Sequence, residues 1–484
     1  MLFNSFEFLI FFITVTSLYF SIQHRFRWAL LLASSCIFYM FFIPEYILIL
    51  FVTIIIDYFA GILIENAKGN QRKKYLLLSL IANIGVLAIF KYYNFLNDNI
   101  SELCFWIDRE NPIPYLNIIL PIGLSFHTFQ AMSYTIEVYR GHQPAERHFG
   151  IYSLYVMFYP QLVAGPIERP QNLLHQFRTR HVFEYNRVVS GLKLMTWGLF
   201  KKAVIADRLA IMADSVFNNP DEHYGFAVIL GAVFFAFQIY CDFSGYSDMA
   251  IGAARVMGFH LMTNFNSPYF AKSISEFWKR WHISLSTWFK DYLYVPLGGN
   301  RVGKWKWYYN LMITFMISGL WHGANWTFII WGALHGFYLV FALITANFRN
   351  KLFNASGLQF NKTLAHLLQS LTVFVLVTFA WIFFRADSLD VAITLIRNAT
   401  VIDNAQLSIT MFTENYLEFI LGLALIPLLL FAEWIYHVNP AIISDKPKVI
   451  RYAFYLIAVL IIVNRYTLKN YGFTQHELDY RETY

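Results

Sequence analysis

Apolar residues run along this chain in blocks long enough to cross a bilayer. A spanning helix needs about 20 mostly apolar residues to traverse a hydrocarbon core about 30 Å thick. Blocks of this kind cover residues 6–22, 28–42, 47–64 and 75–96. Those at 118–139, 151–164 and 188–217 are apolar but interrupted by Pro, Gly, His and Lys. Others follow at 225–243, 364–384, 416–436 and 449–463, with a further helix pair around "GLWHGANWTFIIWGALHG", residues 319–336. The pattern predicts an all-α, polytopic membrane protein with about eleven spans. A single membrane domain is expected over residues 1–471, with a short polar tail over 472–484.

One stretch departs from the pattern. "FNSPYFAKSISEFWKRWHISLSTWFKDYLYVPLGGNR", residues 265–301, is too charged to span lipid and too aromatic for a free loop. Phe277, Trp281, Ser284/Leu285 and Trp288 recur at helical spacing, with Lys279, Arg280, Lys290 and Asp291 between them. This suits an amphipathic helix at the interface or inside a protein-lined cavity, closed by the Pro/Gly turn "PLGGN".

Composition supports the membrane assignment. Of the 484 residues 57% are hydrophobic and 14% charged, where soluble domains carry about a quarter charged. The net charge of +7 fits basic cytoplasmic loops. No basic run with interleaved aromatics appears, so no nucleic-acid partner is expected. Cys36, Cys104 and Cys241 have neither disulfide-framework nor zinc-site spacing, and no metal is expected. The first apolar block lacks the basic leader and small-residue cleavage site of a signal peptide, so it reads as a retained span. His24, Arg25 and Arg27 follow the first block, and Lys68, Arg72, Lys73 and Lys74 follow the third. The turn Pro44-Glu45 and the expected loop 97–111 are neutral to acidic. The positive-inside rule then puts the N-terminus outside.

An imidazole titrates near neutral pH and can accept a hydroxyl proton, so the intramembrane histidines are the first candidates for chemistry. His322 leads, because Gly319/Gly323 and Gly332/Gly336 strip side-chain bulk at the spacing that lets helices approach closely. His282, beside Trp281 and Arg280, could position substrate or assist proton transfer. For His335 and His127 a structural hydrogen bond is the better account. Asp242, Ser244, Ser247 and Asp248 end an apolar block and read as caps or a polar wall. Asp242 and Asp248, six apart on a helix, face different ways and do not form a glycosidase-like pair. No GxSxG, HExxH, P-loop or Rossmann signature is present. The residues alone leave open an intramembrane enzyme or a proton-coupled transporter.

The run "EFWKRWHISLSTWFKDYLYVPLGGNR" followed by "GLWHGANWTFIIWGALHG" resembles the membrane-bound O-acyltransferases. "LPIGLSFHTFQAMSYTIEVYRG", "FYPQLVAGPIERP", "IYCDFSGYSDMAIG" and "WIFFRADS" extend the likeness over most of the chain. Within the family it looks like the bacterial branch that holds the membrane subunits for alginate O-acetylation, peptidoglycan O-acetylation and teichoic-acid D-alanylation. The resemblance implies helices in a ring, with buried amphipathic and re-entrant helices around a central funnel. The family's functional histidine falls in Trp321-His322-Gly323 and its second in "RWHISL", His282; both are expected to be catalytic. Trp321, Asn325 and Trp326 are expected pocket walls. Lys279, Arg280 and Lys290 are an expected landing site for an anionic donor, or else a topology signal only. No bound cofactor is expected. The co-substrate is an acyl thioester, acetyl-CoA or an acyl carrier, entering from the cytoplasm. The expected partners are membrane lipid, a periplasmic or membrane-anchored acetyltransferase, and an exported polysaccharide such as alginate. The expected location is a bacterial inner membrane. Relatives in this branch often finish with an aromatic "FIYFQF"-like tail, which is expected to be absent here or replaced by "YGFTQHELDYRETY".

Overall fold

A computed structural model describes residues 1–118, 120–163, 165–357, 360–401 and 416–438. The expected span at 449–463 and the polar tail lie outside these residues. Every regular element among the described residues is helical. Six helical runs are long and apolar enough to cross a membrane: Pro44–Asn66, Asn70–Trp106, Phe226–Met257, Trp326–Ile344, Lys362–Arg385 and Tyr416–Ile435. Phe6–Ser21 is apolar but shorter, at 16 residues. The chain is thus an all-α polytopic membrane protein.

The described residues form two compact units, Met1–Met195 with Tyr246–Thr263, and Thr196–Gly245 with the residues from Asn264 onward. In the first unit, the helices Ile47–Asn66, Asn70–Leu87 and Leu124–Arg140 pack together. The front part of the expected acidic loop at 97–111 is helical, because the helix Tyr93–Trp106 continues the preceding run through a π turn at Ala88–Tyr92. A carboxylate lies inside the three-helix pack. Asp57 is fully buried and accepts from Ser79 Oγ at 2.5 Å and from Asn83 Nδ2 at 3.0 and 2.9 Å. Ser79 also reaches Thr135 Oγ1 at 3.1 Å, so the cluster joins all three helices. Nothing in the local pattern singles out Asp57. At the helix ends, Arg72 donates to the carbonyls of Ile64 (3.1 Å), Val138 (3.3 Å) and Tyr139 (2.8 Å). A helix leaves its last four carbonyls without intrahelical partners, and one guanidinium serves two such ends here.

In the second unit, the helices Lys304–His322 and Trp326–Ile344 form an antiparallel hairpin. The expected close approach is present. A Cβ on Gly319 would lie 2.1 Å from Phe328 O, and one on Gly332 would lie 2.2 Å from Phe315 O. The backbones therefore meet with no side chain between them.

Two expectations change. The block at 225–243 is the front part of a 32-residue helix, Phe226–Met257, so Asp242 and Ser244 lie mid-helix and cap nothing. They are held by lysines of the π turn Lys201–Ala206. Lys202 pairs with Asp242 at 2.7 Å and Asp207 at 3.3 Å, and Lys201 donates to Ser244 Oγ at 2.8 Å. A carboxylate at such a place is costly unless a cation faces it, and Lys202 allows the helix to run on. The amphipathic stretch is also not one helix. It forms Ile274–Arg280 and Ile283–Phe289, broken at His282, whose φ of 42° and ψ of 56° are left-handed.

Candidate functional site

His322 ends its helix, and Gly323 leaves in an extended conformation (φ −157°, ψ 149°). Asn325 starts the next helix. Its Oδ1 accepts from Thr327 N–H at 3.0 Å, and its Nδ2 donates to the Asp387 carbonyl at 2.9 Å. The histidine therefore sits at the tip of the hairpin, beside a turn pinned at both ends. Its ring lies edge-on to Trp321, Trp331 and Phe384, with centroids 4.9, 5.1 and 5.2 Å away. Trp321 and Trp331 are buried, and His322 itself is half-buried. An imidazole so placed is surrounded by apolar rings yet still reachable.

His282 is 1% exposed. Its ring meets Phe243 edge-on at 4.6 Å. Its Nδ1 lies 3.1 Å from Asn264 Oδ1. Asn264 also accepts from Ile283 N–H through its main-chain oxygen at 2.8 Å, and from Ser284 N–H through Oδ1 at 3.1 Å. These bonds take up the first amides of the Ile283–Phe289 helix, which is why the chain breaks where periodicity alone predicts continuation. Burial pushes His282 down to about 3, so its ring is neutral at physiological pH.

Tryptophans connect the two histidines. Trp331 touches His322 and stacks on Trp381 at 5.7 Å; Trp381 meets Trp281 at 5.0 Å, and Trp281 precedes His282. The structure thus brings both histidines to the edges of one aromatic cluster. Asn264, Trp331, Trp381 and Phe384 emerge as site residues only from the fold. Trp331 and Trp381 stand inside motifs already singled out, whereas Asn264, in "TNFNSP", carries no local signal.

The other candidates divide. Trp321 lines the His322 pocket, while Trp326 is 49% exposed. Asn325 serves as the helix cap. Arg280 is tied to Glu276 at 2.8 Å, and Lys279 and Lys290 are exposed. His335 is fully buried and accepts from Trp278 Nε1–H at 3.3 Å through Nδ1, the structural bond expected of it. His127 is buried too, but neither ring nitrogen has a hydrogen-bond partner among the described residues.

The family model of the membrane-bound O-acyltransferases matches residues 148–386, which include His282 and His322. A probable alginate O-acetylase of Pseudomonas aeruginosa is 40% identical over 395 residues, covering 81% of this chain and 73% of the relative. A peptidoglycan O-acetyltransferase of Helicobacter pylori is 36% identical over 404 residues, covering 78% and 74%. A teichoic acid D-alanyltransferase of Bacillus subtilis is 29% identical over 252 residues, covering 48% and 61%. Identity at this level over most of the relatives' length is shared ancestry and a shared fold, and the chain belongs to the membrane-bound O-acyltransferase family.

Proposed function

We propose that this enzyme transfers an acetyl group from a cytoplasmic thioester, acetyl-CoA or an acyl carrier, to a hydroxyl on the outer side, for O-acetylation of an exported polysaccharide of the alginate type. The observation that carries the reading is His322 at the hairpin tip, half-buried among Trp321, Trp331 and Phe384. It stands in the part of the chain matched by the family model.

In the proposed reaction, His322 takes the proton of the acceptor hydroxyl as its oxygen attacks the thioester carbonyl. The new C–O bond forms, the C–S bond breaks, and the leaving thiolate recovers the proton from the imidazolium. General-base assistance contributes about 10²–10⁴-fold. The aromatic walls exclude water that would otherwise hydrolyse the thioester. His282 supports the transfer. Lys279 and Lys290, exposed, attract the anionic donor; Arg280 is engaged by Glu276 and holds the turn. Trp321, Asn325 and Trp326 shape the approach to His322. The enzyme lies in the bacterial inner membrane with its N-terminus outside and works with a periplasmic or membrane-anchored acetyltransferase that delivers the group to the polymer.

His322→Ala in a complemented deletion strain is expected to abolish polymer acetylation while the protein stays inserted at wild-type abundance. Wild-type acetyl content would overturn the base assignment. The Helicobacter relative, similar over nearly as much of the chain, favours peptidoglycan as a second acceptor reading. Acetyl analysis of both polymers in the same strains separates the two. Replacing Lys279 and Lys290 by Glu should raise the donor KM at low salt more than it lowers kcat, since attraction between exposed charges is screened by salt. An unchanged donor KM would reduce these lysines to topology signals.

A further inference from the structure

We propose that Asn264 is a positioning residue for the transfer reaction, holding His282 in the Nδ1–H tautomer so that Nε2 accepts hydrogen bonds and does not donate them. This rests on the reading that His282 takes part in the transfer.

The tautomer follows from the bonds around one oxygen. An amide side chain can be placed either way round, and its neighbours decide which end is oxygen. The Ser284 backbone N–H can only donate, and it points at Asn264 Oδ1 from 3.1 Å. The Ser284 hydroxyl donates to the same atom at 2.9 Å. That end of Asn264 is therefore the carbonyl oxygen. It faces His282 Nδ1 at 3.1 Å, and an oxygen cannot donate, so Nδ1 carries the hydrogen. The Ser284 hydroxyl, with its proton already given to Asn264, stands 3.5 Å from Nδ1, too far to take the place of Asn264. A neutral imidazole has one N–H, which leaves the lone pair on Nε2. His335 has the opposite arrangement, since its Nδ1 accepts from Trp278 and its hydrogen is on Nε2.

The hold on His282 is tight on every side. Asn264, His282 and Ser284 are all at least 99% buried, at 0%, 1% and 0% exposure. Asn264 fixes the backbone of the turn through Ile283 N–H and Ser284 N–H, and fixes the ring through Nδ1–H. The left-handed φ of 42° at His282 directs the ring, and Phe243 closes on it from 4.6 Å. Neither the backbone nor the ring can turn to present Nδ1 instead. The consequence for chemistry is definite. His282 can orient a hydroxyl by accepting its hydrogen bond. It cannot supply an N–H to a developing oxyanion, so that donor must be found elsewhere.

The test begins with the unaltered protein. The ¹⁵N-histidine-labelled enzyme in lipid nanodiscs is examined by two-bond ¹⁵N–¹H correlation, with His282→Asn assigning the signal. The expected result is a protonated Nδ1 and an unprotonated Nε2 for His282; the reverse pattern overturns the proposal whatever the activity. Asn264→Ala is then expected to lose that signature and to lower kcat by about 10²-fold, the cost of misplacing a group that orients the reactants, with the donor KM nearly unchanged. Asn264→Asp keeps an oxygen at the same place and is expected to restore both. Ser284→Ala removes a hydroxyl from the same cluster but leaves the ring bond, and should keep tautomer and kcat. Equal losses in Ser284→Ala and Asn264→Ala would mean that Asn264 only supports the turn, and would overturn the proposal. A correct tautomer in the wild type with full turnover in His282→Asn would instead overturn the part given to His282 in the reaction.

Discussion

At the scale of single residues, three imidazoles of the second unit end in three different states. His322 is half-buried among aromatic rings, His282 is locked through Nδ1, and His335 accepts a bond from Trp278. Titration near neutral pH marks all three as candidates, and glycine spacing ranks His322 first, but the states depend on neighbours distant in sequence. Asn264 is 18 residues from His282, and Trp278 is 57 from His335. One consequence can be measured through pH. Burial holds His282 at about 3, against an ordinary value of 6.5. Between these values the unfolded chain binds a proton that the folded chain refuses. The contribution of His282 is therefore complete above pH 6.5 and is lost as pH falls toward 3, by up to about 1.4 kcal/mol per pH unit. Asn tolerates left-handed backbone and does not titrate, so His282→Asn isolates the effect. Thermal unfolding should show a smaller fall in Tm for the variant than for the wild type between about pH 7 and about pH 5. Equal falls would place the acid sensitivity elsewhere.

At the scale of elements, helical spans and the glycine-spaced pair were legible because they depend on local periodicity. The seam predicted from Gly319 and Gly332 is present as direct backbone contact. Gly332→Ala would place a carbon 2.2 Å from a backbone oxygen, so the helices must separate. The expected cost is about 1–3 kcal/mol, typical of overpacking, with loss of activity as His322 moves with its helix. A Cβ on Gly85 would meet nothing within 4 Å, and Gly85→Ala should stabilise its helix by about 0.5–1 kcal/mol. Thermal unfolding in detergent compares the two, and equal effects would contradict the seam. Two element boundaries were not legible. The break at His282 is imposed by Asn264 from outside the helical repeat. The continuation of Phe226–Met257 past Asp242 is permitted by Lys202, 40 positions upstream in the numbering, and no window of a few turns contains both.

At the scale of the whole molecule, membrane class and family were legible from the spread of apolar blocks and motifs, while the polar clusters that join helices inside each unit were not. Orientation can be tested on one element. Asn70–Trp106 is 37 residues long, or about 55 Å, longer than the hydrocarbon core. Gln71 and Glu102 lie near its two ends, and both are exposed. Single cysteines there should label from opposite sides, Gln71 from the cytoplasm; periplasmic labelling of Gln71 would reverse the proposed topology. Arg72 adds a further consequence. Its positive charge belongs to the basic segment from which the proposed sidedness is read, and the same guanidinium closes the ends of two helices. Arg72→Gln should therefore lower steady-state abundance while specific activity per surviving molecule is preserved. Under the proposed topology one side chain serves insertion and folding alike, so a chain threaded the wrong way round would leave its helix ends open to the cell's membrane proteases.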